Sequence, residues 1–144
     1  YDENLTELMA NVLIQLGIKG AMVVNGCDGL DEITMTGKTH VIEVRDGATR
    51  RYDIDPHDYG FEYCESSVLE GGTPAENAQI TLGILDVTDR GARRTTVILN
   101  AGCAIYCSGH AKDIKEGVAI ATEMIDSGKA LAKLNEMKEF TNNI

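Results

Sequence analysis

An unbroken apolar run, Ala21 to Val24, constrains the fold of this chain more than any other stretch. Its side chains do not alternate between apolar and polar, as those of a half-exposed strand do. A strand of this kind is buried on both faces, as in a sheet that helices cover on either side. The sequence therefore predicts an α/β fold with a sheet flanked by helices.

Residues 4 to 16 predict a helix that precedes this strand, and Gly17 stands where a helix C-cap belongs. We expect this helix to pack through one apolar face, made of Leu5, Leu8, Met9, Val12, Leu13 and Leu16. The chain begins at Tyr1 rather than at a methionine, so we also expect it to be a piece of a longer protein. The same helix face would then be the first to lack its cover.

The apolar run leads directly into a glycine-rich acidic stretch, Asn25 to Thr34. Gly26 and Gly29 bracket a bend whose backbone N–H groups could face an anion. The adjacent carboxylates of Asp31 and Glu32 suit a hard divalent cation that bridges protein and phosphate oxygens. Turn glycines and a chance acidic pair would give the same letters in a chain with 23 Asp+Glu. Residue types alone therefore leave both interpretations open.

The segments Thr39–Arg45 and Arg50–Ile54 predict a β-hairpin, because Asp46-Gly47 between them is a strong turn signal. Their polar faces indicate the edge of a sheet, and Asp55-Pro56 ends the second strand. His57 follows in a turn, where it is either a catalytic base or a solvated side chain. We expect the solvated side chain.

Helices dominate the prediction for the second half of the chain. Thr73, Pro74 and Glu76 form a capping signal for a helix that runs to about Leu85. We predict two more helices, over residues 114–126 and 129–138, the last with Leu131 and Leu134 buried. Residues 95–108 combine strand propensity at Thr95–Leu99 with helical spacing from Val97 to Ser108, so residue types leave a strand and a helix open there. We expect the helix. The arginines of the preceding loop, Arg90, Arg93 and Arg94, are expected to be solvated.

Composition narrows the function classes. The chain has 144 residues, 43% of them hydrophobic, and a formal net charge of −10. This charge argues against nucleic acid and anionic membranes as partners. No apolar stretch approaches the ~18 residues of a membrane span. The four cysteines form no C-x-x-C pair, which argues against zinc and fits a reducing cytoplasm.

Several separated phrases stand out along the chain: Ala21–Ile33 with its G-L-D-E letters, Ile54–Gly60, Gly71–Ala78 with its G-G-x-P-x-x-N-A letters, Leu99–Ala101 and Asp126–Ala130. In order and spacing these phrases resemble those of the anthranilate phosphoribosyltransferases. One departure is Asn25, which stands where the family usually has His.

The resemblance implies the α/β domain of the nucleoside phosphorylase and phosphoribosyltransferase fold. It implies transfer of a phosphoribosyl group from phosphoribosyl pyrophosphate to anthranilate, in cytoplasmic tryptophan biosynthesis, by a homo-oligomer. Asp31 and Glu32 would bind Mg²⁺ together with the substrate, and Gly26 would contact the substrate. No residue of this chain is assigned as catalytic.

The family's G-T-G-G-D, N-x-S-T and K-H-G-N-R segments are not found in this chain. We therefore expect residues 1–144 to be the C-terminal portion of the α/β domain, without the N-terminal helical domain and the main substrate loops. Such a fragment would be inactive alone. Two alternatives remain, a relative of the pyrimidine nucleoside phosphorylases and a non-enzymatic binding module on the same scaffold.

Overall fold

The computed structural model describes residues 2–142 as three strands and six α-helices. The elements are α1 (Glu3–Gln15), β1 (Gly20–Gly26), β2 (Thr39–Arg45), β3 (Ala48–Ile54), α2 (Ser66–Leu69), α3 (Pro74–Leu85), α4 (Ala92–Cys107), α5 (Ile114–Asp126) and α6 (Lys129–Asn142). A 3-10 helix, Pro56–Tyr59, follows β3.

The strands form one antiparallel sheet in the order β1-β2-β3. The predicted hairpin is confirmed: Asp46 and Gly47 both have positive φ, 48° and 82°, as a tight two-residue turn between twisted strands requires. Its predicted place at the edge is wrong for β2, which pairs with β1 on one side and β3 on the other. The apolar strand β1 is itself an edge strand of the described sheet.

Helices cover both faces of the sheet, as predicted from the apolar run of β1. On one face, Ala10 and Ile14 of α1 pack against a cluster of strand side chains, Ala21, Val23, Ile42 and Val44. On the other face, Val41 and Ile54 join the larger core with α3, α4 and α5. The acidic loop between β1 and β2 therefore lies at the end of a sheet that is covered by helices on both faces, and it contacts α4.

The predicted packing face of α1 is wrong. Thr6 and Ala10 are the buried residues of this helix, whereas Leu8 and Leu16 are 58% and 70% exposed. Small side chains let the helix approach the sheet closely, and the Thr6 hydroxyl donates to the Glu3 carbonyl at 2.7 Å. The large apolar side chains of α1, such as Leu8 and Leu16, lie outside this contact with the sheet.

The remaining helix predictions are confirmed in type. The capping box of Thr73 and Glu76 is present, and Asp113 caps α5. Arg94, predicted to be solvated, instead lies in the first turn of α4 and pairs with Asp126 at 2.6 Å. Leu131 and Leu134, predicted to be buried, are only half-buried.

A buried carboxylate joins the sheet to α4. Glu43 accepts hydrogen bonds from the hydroxyls of Tyr106 and Tyr52, at 2.9 and 3.1 Å, and from Arg45 Nε at 3.0 Å. Burial raises the pKa of Glu43, but these donors outweigh it and hold the pKa below its usual range. Because Tyr106 belongs to α4, this network fixes the C-terminal end of that helix against β2 and β3.

Two glycines bring α4 and α5 into backbone contact. A Cβ at Gly102 would lie 2.7 Å from the Val118 nitrogen, and one at Gly117 would lie 2.1 Å from the Gly102 carbonyl oxygen. Neither neighbour is a flexible side chain that could move away.

Within residues 2–142, no helix combines the length and apolar character needed to cross a lipid bilayer.

We predict that Gly117→Ala destabilises the chain by about 1–3 kcal/mol, because the added methyl group separates two packed helices. The matched control is Gly83→Ala in α3, where a Cβ would meet its nearest atom at an ordinary 3.4 Å. This control should be neutral or slightly stabilising, since alanine favours helix over glycine. Urea unfolding of both variants measures the difference, and equal free energies of unfolding would contradict the packing account.

Candidate functional site: the acidic loop after the first strand

The candidate site lies in the loop between β1 and β2, residues 27–38. Both predicted metal ligands, Asp31 and Glu32, are exposed there. Within residues 2–142 neither carboxylate accepts a hydrogen bond or forms an ion pair. Two adjacent carboxylates are thus presented to solvent with all their oxygens available for a ligand.

A third acidic residue, Asp28, organises the loop from inside. Its Oδ2 accepts hydrogen bonds from the hydroxyls of Thr34 and Thr36 at 2.6 and 2.7 Å, and its Oδ1 accepts one from the Leu30 N–H at 3.1 Å. Burial raises the pKa of Asp28, but these donors outweigh it and hold the pKa below its usual range. Asp28 therefore acts as the anionic centre of the turn rather than as a third ligand of a cluster.

Asn100 of α4 holds the residue that follows the two exposed carboxylates. Its Oδ1 accepts the Ile33 N–H at 3.0 Å, and its Nδ2 donates to the Ile33 carbonyl at 2.8 Å. Nδ2 also donates to the Thr96 carbonyl of the preceding helical turn at 3.0 Å. The amide is thus fixed by its own helix and in turn fixes the loop.

The backbone N–H groups of the predicted anion-binding turn already donate to carbonyl groups within the chain. The N–H groups of Gly26, Cys27 and Gly29 donate to the carbonyls of Leu30, Lys38 and Gly26 at 2.8–3.0 Å. A Cβ at Gly26 would lie 2.5 Å from Asp28 Oδ1, so a larger residue there would displace the Asp28 carboxylate from the turn. The contact of Gly26 with substrate stays a prediction.

A cavity of about 350 Å³ adjoins the loop. Glu32 and Leu30 line one side of it, and Ile80, Arg93 and Val97 line the other. Arg93, predicted to be solvated, donates to the Glu70 carbonyl at 2.9 Å. The cavity lining thus includes two acidic residues, Glu32 and Glu70, and one arginine, Arg93, among apolar and uncharged polar residues.

His57, the other candidate from the sequence, lies in the 3-10 helix. Its Nδ1 is 3.1 Å from Asp55 Oδ1 and its Nε2 is 3.5 Å from Glu62 Oε2, and its ring contacts Tyr63. These partners give the half-exposed imidazole a place in the turn that follows the hairpin. A role as a base stays the alternative that the sequence disfavoured.

The two carboxylates fit a metal ion only if water and substrate supply the remaining ligands. The part of the chain from Asp2 to Asn142 contains no group of three or more His, Cys, Asp or Glu side chains able to hold a metal ion. Mg²⁺ is commonly bound through one or two carboxylates and completes its octahedron with waters and substrate phosphates. Asp31 and Glu32 fit this binding mode, in which two carboxylates supply only part of the coordination of Mg²⁺.

Sequence reasoning missed the two residues that hold the loop in place. Asn100 is 67 positions from its partner Ile33, so no local pattern links them. Its only signal was a polar residue within the buried helix phrase Leu99–Ala101. Asp28 had a clearer signal, because a carboxylate two residues before Leu30 can accept that N–H in an Asx turn.

We predict that Asn100→Leu mobilises the loop while the fold persists, because leucine fills a similar volume but replaces neither hydrogen bond to Ile33. Amide exchange at Ile33 should accelerate. The matched control is Asn77→Leu, which removes an equivalent pair of bonds to the Gly72 N–H and carbonyl. The control should leave Ile33 unchanged; an unchanged Ile33 in Asn100→Leu itself would contradict the clamp.

We also predict that acid loosens the loop through Asp28. Its pKa is lowered by folding, so the stabilisation is present above the unfolded pKa of ~3.9 and is lost as the pH falls through the lower folded value. NMR shifts of Leu30 and Thr36 should therefore titrate only below about pH 4. Asp28→Asn should abolish this titration, and its persistence in that variant would assign it to another group.

Comparison with known proteins agrees with this geometry. Residues 1–131 match the family described as "Glycosyl transferase family, a/b domain". The chain therefore belongs to this family of α/β transferase domains.

Among curated relatives, the anthranilate phosphoribosyltransferase of Pelotomaculum thermopropionicum is 50% identical over all 144 residues, which span 41% of the relative. That of Methanobrevibacter smithii is 46% identical over 143 residues, or 99% of this chain and 42% of the relative. The chain thus spans about two fifths of the length of these relatives. Which part of them it represents stays a prediction.

Solved structures give the same family. The crystal structure of anthranilate phosphoribosyltransferase from Thermus thermophilus has a TM-score of 0.86 and 33% identity, over 94% of this chain and 40% of that one. The Saccharomyces cerevisiae enzyme in complex with PRPP and Mg has a TM-score of 0.89 and 25% identity, over 100% of this chain and 42% of that one. The expected fold class is thereby confirmed.

Proposed function

We propose that this chain is part of an anthranilate phosphoribosyltransferase, which transfers the phosphoribosyl group of phosphoribosyl pyrophosphate to anthranilate in tryptophan biosynthesis. The observation that carries the proposal is the exposed, unpartnered pair Asp31 and Glu32 on a loop that is fixed from behind. Identities of 50% and 46%, over 100% and 99% of this chain, to relatives of that name support the assignment.

Asp31 and Glu32 would hold Mg²⁺ against the pyrophosphate of the substrate, directly or through water. When bound, Mg²⁺ would neutralise the charge that builds on the departing pyrophosphate. Asp28 and Asn100 keep the two ligands in place before substrate arrives, so little ordering of the loop accompanies binding. This preorganisation is the contribution of the present chain to the chemistry.

The two carboxylates are not proposed as general acid or base, because their proposed role is to bind Mg²⁺. The groups that bind anthranilate and the ribose phosphate belong, in this proposal, to the rest of a longer polypeptide. The 144-residue chain alone is then inactive. We further propose that the full-length enzyme is a homo-oligomer in the cytoplasm. The four free thiols support this location, because the cytoplasm is a reducing compartment.

The test uses a chimera in which this chain replaces the matching part of the Pelotomaculum relative. We predict that Asp31→Asn with Glu32→Gln lowers its activity by at least about tenfold at limiting Mg²⁺ and raises the Mg²⁺ concentration needed for half-maximal rate. The fold should be unaffected, since both side chains are exposed and unpaired. Initial rates of phosphoribosyl anthranilate formation across a Mg²⁺ series measure both effects.

The matched control is Asp46→Asn with Glu3→Gln, which makes the same change in charge at exposed positions in the β2–β3 turn and in α1. It should retain the parent Mg²⁺ dependence. Parent kinetics in the Asp31 and Glu32 variant at limiting Mg²⁺ would contradict the assigned role. Turnover by the isolated 144-residue chain would contradict the proposal that the other substrate groups lie elsewhere.

A further inference from the structure

A second cavity, of about 650 Å³, lies between β3, the 3-10 helix and the connection from α4 to α5. None of its lining residues belongs to the acidic loop, residues 27–38, or to the cavity beside Glu32. Its volume is in the range of small-molecule sites, about 300–1,000 Å³. The proposed transferase function gives this second cavity no role.

Three positively charged side chains line the second cavity: Arg50 of β3, Lys112 of the α4–α5 connection and Lys115 of the first turn of α5. Within residues 2–142 none of the three forms an ion pair. The Arg50 guanidinium lies over the Tyr52 ring, with Cζ 4.8 Å from the ring centroid. Unpaired cations around one cavity attract an anion, even though the chain has a formal net charge of −10.

Two of the carboxylates that line the second cavity already have partners. Glu43 is buried and accepts hydrogen bonds from two tyrosine hydroxyls and from Arg45 Nε. Asp113 caps α5, and its Oδ1 accepts the Glu116 N–H at 2.8 Å. The negative charge of both carboxylates is therefore partly offset within the protein.

The other two lining carboxylates leave a surplus of positive charge. Tyr52 shares the α4 face of the sheet with Val41, its partner in the ladder. Asp53 is the next residue along β3, so its side chain points to the opposite face, where its Oδ1 lies 3.4 Å from His40 Nδ1. Asp58 is then the one lining carboxylate without an ion pair or a side-chain hydrogen bond in residues 2–142. Three unpaired cations thus face one unpaired carboxylate.

The second cavity also has aromatic walls, formed by Tyr52, Tyr59 and Tyr106. The hydroxyls of Tyr52 and Tyr106 donate to Glu43, so it is mainly their rings that a ligand can contact. The hydroxyl of the half-buried Tyr59 forms no hydrogen bond within residues 2–142 and can donate to a ligand oxygen. Such walls suit a ligand with an apolar or aromatic part.

We propose that the second cavity binds a small phosphate monoester whose organic part has an apolar or aromatic face. Arg50, Lys112 and Lys115 would bind the phosphate, and the tyrosine rings would pack against the organic part. A phosphate monoester carries close to two negative charges at pH 7, which matches the surplus of cations better than a single carboxylate does. The Arg50 guanidinium can also bind two phosphate oxygens at once. The inference does not rest on the proposed function, because the second cavity is separate from the acidic loop.

Titration of the 144-residue chain with phenyl phosphate tests the inference, with EDTA present so that no divalent ion joins phosphate to the acidic loop. The amide NMR signals of Arg50, Lys112 and Lys115 should shift together and give a Kd of about 1 mM or lower. The amide signals of Asp31 and Glu32 should not shift. Absence of a saturable shift at Lys112 and Lys115, or a shift confined to the acidic loop, would overturn the inference.

Substitution of two cations gives a second test. Arg50→Gln with Lys112→Gln should weaken binding at least about tenfold, measured at the Lys115 amide, because two charged donors are lost. Both side chains are exposed and form no ion pair, so the fold should persist. The matched control, Arg51→Gln with Lys133→Gln, removes the same charge at exposed positions outside the second cavity. The control should keep the Kd within about twofold, since distant exposed charges are screened. Equal weakening in the two double variants would assign the affinity to net charge and overturn the inference.

Two further ligands test the chemistry assigned to the second cavity. Benzoate keeps the ring but carries one charge, and it should bind at least about fivefold more weakly than phenyl phosphate. Inorganic phosphate keeps the charge but has no organic part, and it should also bind at least about fivefold more weakly. Benzoate binding as tight as that of phenyl phosphate would overturn the choice of phosphate. Inorganic phosphate binding as tight would overturn the choice of a monoester with an apolar part.

Discussion

The candidate site depends on two hydrogen bonds between the Asn100 side chain and the backbone of Ile33. A loop that carries two exposed carboxylates tends to spread, because like charges repel and neither carboxylate forms an ion pair within residues 2–142. The amide of Asn100 counters this tendency by fixing the peptide groups directly after Glu32. A neutral side chain can do so without attracting either carboxylate away from a ligand. The metal-binding proposal therefore rests on a residue that touches no metal.

The clamp is only as rigid as the helix that carries it. Gly102 lies two residues beyond Asn100 and meets Gly117 of α5 at backbone distance, while Tyr106 of the same helix donates to the buried Glu43. The helix is thus held against α5 on one side and against the hairpin on the other. Local opening of the loop then requires disruption of packed core, which makes it a costly fluctuation. The core sets the geometry of the site.

The sequence predicts those parts of this arrangement that depend on neighbours along the chain. The turn at Asp46-Gly47 and the capping box at Thr73 are local, and the structure confirms each. The helix expected over residues 95–108 is confirmed as α4, and its buried residues are Ile98, Leu99, Gly102 and Cys103. Periodicity predicted the wrong packing face for α1, because it gives weight to large apolar side chains. Close packing on the sheet instead buries the small side chains of Thr6 and Ala10. The Asn100 clamp joins positions 67 apart, and such a contact leaves no periodic signal. The acidic pair was found from its letters and the family resemblance, but its support could be seen only in three dimensions.

The central claim is that Asp31 and Glu32 present their oxygens to a substrate-bound divalent ion. Its most direct test is anomalous diffraction from crystals of the chimera grown with phosphoribosyl pyrophosphate and Mn²⁺ in place of Mg²⁺. The account predicts an anomalous peak within about 2–4 Å of the Asp31 and Glu32 carboxylates, allowing for direct or water-mediated ligation, with Asn100 still bonded to Ile33. A Mn²⁺ ion bound to the pyrophosphate elsewhere, with both carboxylates facing solvent on an ordered loop, would contradict it.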